Sequence, residues 1–127
     1  MTLKEFYAHV GGSYDEALSR LMADRLMLKY LFKFEASAGY EAMMAAVAGE
    51  NWEETFRHAH NLKGLCLNLA LGDLGKSGSA LCDAVRSGKP EGDIPALAAA
   101  VTADYEKVLA GIAALRETYP EASSQPG

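Results

Sequence analysis

From Met27 the chain sets apolar side chains at Met27, Leu28, Leu31 and Phe34, an i, i+1, i+4, i+7 series that lines one face of a helix. Asp24 precedes this stretch as a candidate cap. Upstream, Leu18, Leu21 and Met22 also recur at helical spacing, and Ser13 is placed to cap a helix starting near Tyr14. "GGS" at Gly11–Ser13 separates this helix from a short N-terminal segment. Gly39 and Gly49 bracket another helix with Met43, Met44 and Val47 inside it. Trp52 to Leu71 reads as one long helix. "LGD" at Leu71–Asp73 reads as a helix stop followed by a new cap. The helix after it carries Leu74 and Leu81, and "SGKPEGDIP" from Ser87 to Pro95 reads as a loop. Leu97, Val101, Tyr105, Val108, Ile112 and Leu115 then mark a last helix, roughly Ala96 to Tyr119.

These elements predict an all-α fold. The last four helices are joined by short loops, so neighbours pack antiparallel, as an up-and-down four-helix bundle with additional short N-terminal helix or helices. Residue usage agrees. Alanine, leucine and methionine are abundant, and the four prolines stand at 90, 95, 120 and 126, so none interrupts a helix before residue 90. Gly75, Gly78 and Ala80 would let the helix that bears them approach its neighbour closely. A single domain is expected over residues 1–119, with a flexible tail at 120–127, "PEASSQPG".

Composition narrows the function classes. At 127 residues and 50% hydrophobic, the chain can bury a real core and is not expected to be disordered. Seventeen acids against 12 bases leave a net charge of -5, which argues against nucleic-acid binding through clustered Lys and Arg. No apolar run approaches a membrane span, and the first residues lack the apolar core of a secretory signal. Cys66 and Cys82 are too few for a disulfide framework. They read as reduced, buried thiols in a cytoplasmic protein.

The candidate chemistry lies in "HAHNLKGLCLN", His58 to Asn68. At about 100° per residue, Trp52, Ala59, Leu62, Cys66, Leu69 and Ala70 share one side of the helix, the core face. His58 falls on the flank of that face, beside Leu62, Leu65 and Leu69, and reads as a partly buried histidine. His60 points about 160° away from it. Its stripe runs through Glu53, Phe56, Arg57, Lys63, Gly64, Leu67 and Leu71. Phe56, Leu67 and Leu71 give this stripe apolar surface that solvation alone does not need and a protein-docking surface does. Phe56 reads equally well as a core-edge residue. An imidazole near neutral pH is a good nucleophile. Lys63 offers a cation one turn on. Gly64, at i+4, removes the side chain that would crowd the ring, at roughly 1 kcal/mol of helix propensity. Gly64 could also serve helix packing.

"AHNLKG", Ala59 to Gly64, resembles the Ala-His-x-Leu-Lys-Gly signature of histidine-containing phosphotransfer (HPt) domains. The likeness continues without gaps to "RSG" at Arg86–Gly88, and "YLFKF" and "AVAGENWEETFRHAH" look like the family's preceding helices. It covers about Asp24 to Leu115 and is strongest at the motif. The sequence departs from the family's pattern at Ala70, where glycine is frequent, and at Cys82, where glutamate is frequent. Both departures read as packing or capping details.

The resemblance implies a phosphorelay intermediate, a carrier rather than an enzyme, without an ATP site. His60 would be the phosphoacceptor, with Lys63 and Gly64 as supporting positions and Phe56, Arg57, Leu67 and Leu71 as the docking face. The expected partners are response-regulator receiver domains, with a hybrid histidine kinase as a further candidate. The chain is expected to be a monomer and to hold no cofactor. Mg²⁺ belongs to the receiver, which carries the phosphoaspartate that the His60 ring nitrogen, Nε2, attacks in line before the phosphoryl group passes to a second receiver.

Three rivals compete with this reading. The first, a metal site, suffers from histidines on opposite sides of the helix and the absence of HExxH or CxxC motifs. A Cys–His hydrolase suffers from Cys66 lying on the core face. The third is an HPt-fold adaptor that binds signalling partners without relaying phosphate. The intact His60, Lys63 and Gly64 stand against it.

Overall fold

The computed structural model describes residues 1–123 and shows helices without strands among them. Leu3–His9 forms α1 under a Thr2–Glu5 capping box, in which each side chain satisfies an otherwise orphaned N–H. Tyr14–Leu21 forms α2, with Ser13 accepting from the Glu16 N–H as expected. Asp24–Phe32 forms α3. Here Ala23 is the cap residue and makes no side-chain bond. Asp24 is instead the first helical residue, and its carboxylate accepts from the Tyr14 hydroxyl at 2.6 Å. Met27, Leu28, Leu31 and Phe34 are all buried, although the helix is interrupted at Lys33 and resumes as α4, Phe34–Ala38.

The bundle follows. Tyr40–Ala48 is α5 and Trp52–Leu69 is α6, the latter capped by the Asn51 side chain. Gly72–Ala84 is α7 and Ile94–Thr118 is α8. In sequence order α5 packs on α6, α6 on α7, and α7 on α8. The ring closes between α5 and α8, where Tyr40 stacks on Tyr105 at 4.0 Å and 8° and its hydroxyl meets Thr102 Oγ1 at 2.8 Å. This is the up-and-down antiparallel bundle. The shorter α1 lies against α8, and α2 against α6. On α7, Gly75 and Gly78 do face α6, next to Cys66 and Leu62. Ala80 is exposed and takes no part in that approach.

Three boundaries differ from expectation. The last helix begins at Ile94, because the Asp93 side chain caps it and Pro95 fits its first turn. Pro120–Ser123 adds a helical turn, α9, packed on α3 and α8, where a flexible tail was expected. Residues 124–127 of that tail lie outside the described residues. The long helix ends at Leu69, not Leu71. Ala70 takes the left-handed conformation, φ 55°, ψ 39°. The Leu71 N–H bonds the Cys66 carbonyl and the Ala70 N–H the Leu67 carbonyl, the two bonds of a Schellman turn. Gly72 and Asp73 therefore belong to α7, and neither is a helix stop nor a cap.

Gly11 and Gly12 have a second role at this corner. A Cβ on Gly12 would collide with the Ala70 carbonyl, and one on Gly72 with the Gly11 carbonyl. The α1–α2 turn thus seats directly on the α6–α7 turn. Tyr7 clasps the same corner. Its buried hydroxyl donates to the Leu69 carbonyl at 2.8 Å, and burial pushes its ionisation far above the ordinary tyrosine range. Tyr7→Phe should lower unfolding free energy by about 1–2 kcal/mol, since it strands a buried acceptor. Urea denaturation measures this, and an unchanged midpoint would deny the clasp its part in stability.

Candidate functional site

Two faces of α6 are set by its burial pattern. Ala59, Leu62, Cys66 and Leu69 are buried, joined by Thr55, while Trp52 is half-buried. Thr55 was not anticipated as a core residue. Its hydroxyl donates back to the Asn51 carbonyl at 2.9 Å, which lets a polar residue sit inside. Burial pushes the Cys66 thiol up to about 12 and also raises Cys82, against the pull of Lys63 and Arg86 nearby. Both cysteines are free, and neither is disposed to act as a thiolate nucleophile.

The histidines separate as their positions on the helix require. His58 is half-buried, with Nε2 3.6 Å from Glu54 and the ring beside Gly39. His60 is exposed near the middle of α6. Its ring lies against Phe56, centroids 5.9 Å apart and planes 21° from parallel. The Arg86 guanidinium, from just beyond α7, sits 6.0 Å over the same Phe56 ring and pairs with Asp83. Helical side chains lean toward the N-terminus, so residues i and i−4 meet. That spacing was visible in the sequence as a stripe, but the ring contact and the role of Arg86 were not deduced from it.

On the other side of His60 the surface is open. A Cβ at Gly64 would meet no atom within 4 Å, so helix packing does not explain this glycine. A shallow depression of about 410 Å³ lies here, bordered by His60, Asn61, Gly64 and Leu65 from α6 and Ser37 from α4. Lys63 is half-exposed and has no ion-pair partner among the described residues. Arg57 is less available: it is paired with Glu54 at 2.5 Å, and that contact holds the Glu54 carboxyl below the usual carboxylate range.

The proposed docking residues do not stay together. Leu67 is 61% exposed and Leu71 only 1%. Leu71 must be removed from the face. Continued α6 would carry it onto the His60 stripe, but the Schellman turn folds it back into the core, the hydrophobic contact that commonly accompanies such a turn. Phe56 is half-buried against the core. The exposed cluster around His60 thus consists of Lys63, Gly64 and Leu67, flanked by Phe56 and Arg57.

An exposed imidazole with an open approach and a half-exposed cation one turn away is suited to accept an electrophilic group delivered by another molecule. Among the described residues no His/Cys/Asp/Glu group is arranged to hold a metal ion, and no helix is long and apolar enough to cross a membrane. The Hpt domain family model matches residues 28–118. No curated protein and no solved structure matches the chain.

Proposed function

The chain belongs to the Hpt domain family, and on that premise we propose that it is a phosphorelay carrier of two-component signalling, with His60 as its phosphoacceptor. The observation that carries the reading is the environment of His60: exposed, open toward Gly64, and one turn from Lys63, which has no ion-pair partner among the described residues. A receiver domain brings a phosphoaspartate and its own Mg²⁺ to this face. The lone pair of the unprotonated imidazole nitrogen, Nε2, forms the N–P bond. The aspartyl O–P bond breaks in line, and its electron pair leaves on the receiver's carboxylate. The reverse exchange with a second receiver aspartate completes the relay. The bundle contributes position and charge, and the partner contributes the metal.

The reading makes this chain a carrier rather than an independent enzyme. A monomer is sufficient, since the whole cluster comes from one α6. The test is incubation with a receiver domain phosphorylated by acetyl phosphate. Label should pass to this chain and be lost in acid but kept in base. Stable receiver binding without labelling would replace the relay by the adaptor reading.

Lys63 has a limited part. Its ammonium screens the phosphoryl dianion from a half-exposed position, so Lys63→Ala should slow transfer or shorten phosphohistidine lifetime by roughly threefold to fivefold, about 1 kcal/mol or less. Transfer and hydrolysis time courses measure both quantities. Identical curves for mutant and wild type would remove Lys63 from the site.

A further inference from the structure

We infer that Phe56 is a positioning residue for His60, one that holds the plane of the imidazole so that a docked phosphoryl group meets it already oriented. The inference rests on the phosphotransfer reading above and adds a residue that sets its rate. An exposed histidine on a helix has a broad second side-chain torsion, whereas in-line attack accepts only a narrow range of approach. Something must restrict the ring. Gly64 offers nothing on the C-terminal side, where a Cβ would find open space. On the N-terminal side the near-parallel Phe56 ring, 21° off at 5.9 Å, is the aromatic contact His60 makes. One side of the imidazole is supported and the other is left clear.

The support is itself fixed. Phe56 is half-buried and packs on the core cluster. Its ring also carries the Arg86 guanidinium at 6.0 Å, and Arg86 is tied to Asp83 on α7. The ring that steadies His60 is thereby anchored to a second helix of the bundle. A residue serving only to dock a partner would present its ring outward, as Leu67 presents its side chain. Phe56 spends part of its surface on the core and part on His60.

The experiment compares wild type, Phe56→Leu and Phe56→Tyr in single-turnover transfer from one acetyl-phosphate-labelled receiver, varied in concentration. Leucine keeps apolar volume and loses the ring, while tyrosine keeps the ring. The expected result is a saturating rate lowered roughly threefold to tenfold in Phe56→Leu, the range of an aromatic pair's contribution. The rate recovers in Phe56→Tyr, whatever the half-saturating receiver concentration does. A Phe56→Leu variant with the wild-type saturating rate overturns the inference, whether or not its half-saturation shifts. So does a Phe56→Tyr variant as slow as Phe56→Leu. Should Phe56→Leu not fold, the wild-type protein decides: NMR couplings and ring-to-ring NOEs report whether His60 occupies one rotamer against Phe56. Free rotamer averaging overturns the proposal. Failure of wild-type labelling would instead count against the relay reading, and the NMR result would still stand on its own.

Discussion

His60→Gln should abolish acid-labile phosphoryl uptake while leaving the bundle folded. Glutamine keeps comparable length and polarity but has no ring nitrogen with a free lone pair. The side chain is exposed, so its loss costs little beyond the contact with Phe56, at most about 1 kcal/mol. His58→Gln should show the opposite balance. Its ring is half-buried beside Gly39 and within ion-pair distance of Glu54, so about 1 kcal/mol of stability goes with it, and labelling continues. His9, exposed in the last turn of α1, serves as the third comparison, and His9→Gln should label as wild type does. Radiolabel transfer from a phosphorylated receiver, with thermal melts in parallel, reads all three. Undiminished labelling of His60→Gln would refute the phosphoacceptor assignment whatever else the protein binds.

Helix periodicity made most of the bundle legible. The Met27–Leu28–Leu31–Phe34 stripe is buried even across the interruption at Lys33, since a short break preserves which face turns inward. The opposite orientations of His58 and His60 followed from helix geometry alone, because both lie well inside α6. Legibility failed where the chain leaves the helix. At Ala70 a non-glycine residue adopts φ 55°, a conformation that costs a typical L-residue roughly 1–2 kcal/mol and that local sequence gives little reason to expect. Gly72 looked like the stop because glycine is the usual choice there. Its real constraint is the Gly11 carbonyl, about sixty residues away in sequence. The seating of the α1–α2 turn on the α6–α7 turn is a long-range contact. Each strand of chain shows only a glycine break, and nothing in either break names the other. The Phe56–His60–Arg86 grouping lies between these cases. The i, i+4 spacing permits a ring contact, but only packing decides that Phe56 lies against the imidazole instead of turning wholly to the core.

The same corner sets the second large effect. Leu67 and Leu71 lie four residues apart, and both belong to one stripe if α6 is continued through Leu71. Substituting glutamate at each should give opposite outcomes. At position 67 the side chain is 61% exposed, and its backbone carbonyl is held by the Ala70 N–H and the Arg20 guanidinium, which a change of side chain leaves in place. Leu67→Glu should therefore stay within about 0.5 kcal/mol of wild type in stability. It should weaken receiver affinity roughly tenfold, the effect of losing an apolar anchor at an interface centre. At position 71 the side chain is 1% exposed. Glutamate there removes a core leucine and places a carboxylate among apolar neighbours without a partner. The cost exceeds about 3 kcal/mol, a large share of the roughly 5–15 kcal/mol that holds a domain of this size together. Leu71→Glu should show a strongly lowered melt and lose receiver binding only because it loses its fold. Chemical denaturation of both variants, followed by receiver titration of whichever remains folded, separates the two. A native-like melt for Leu71→Glu would return that residue to the surface and undo the assignment of the helix end at Ala70. Unchanged receiver affinity for a folded Leu67→Glu would move the docking face away from this side of α6.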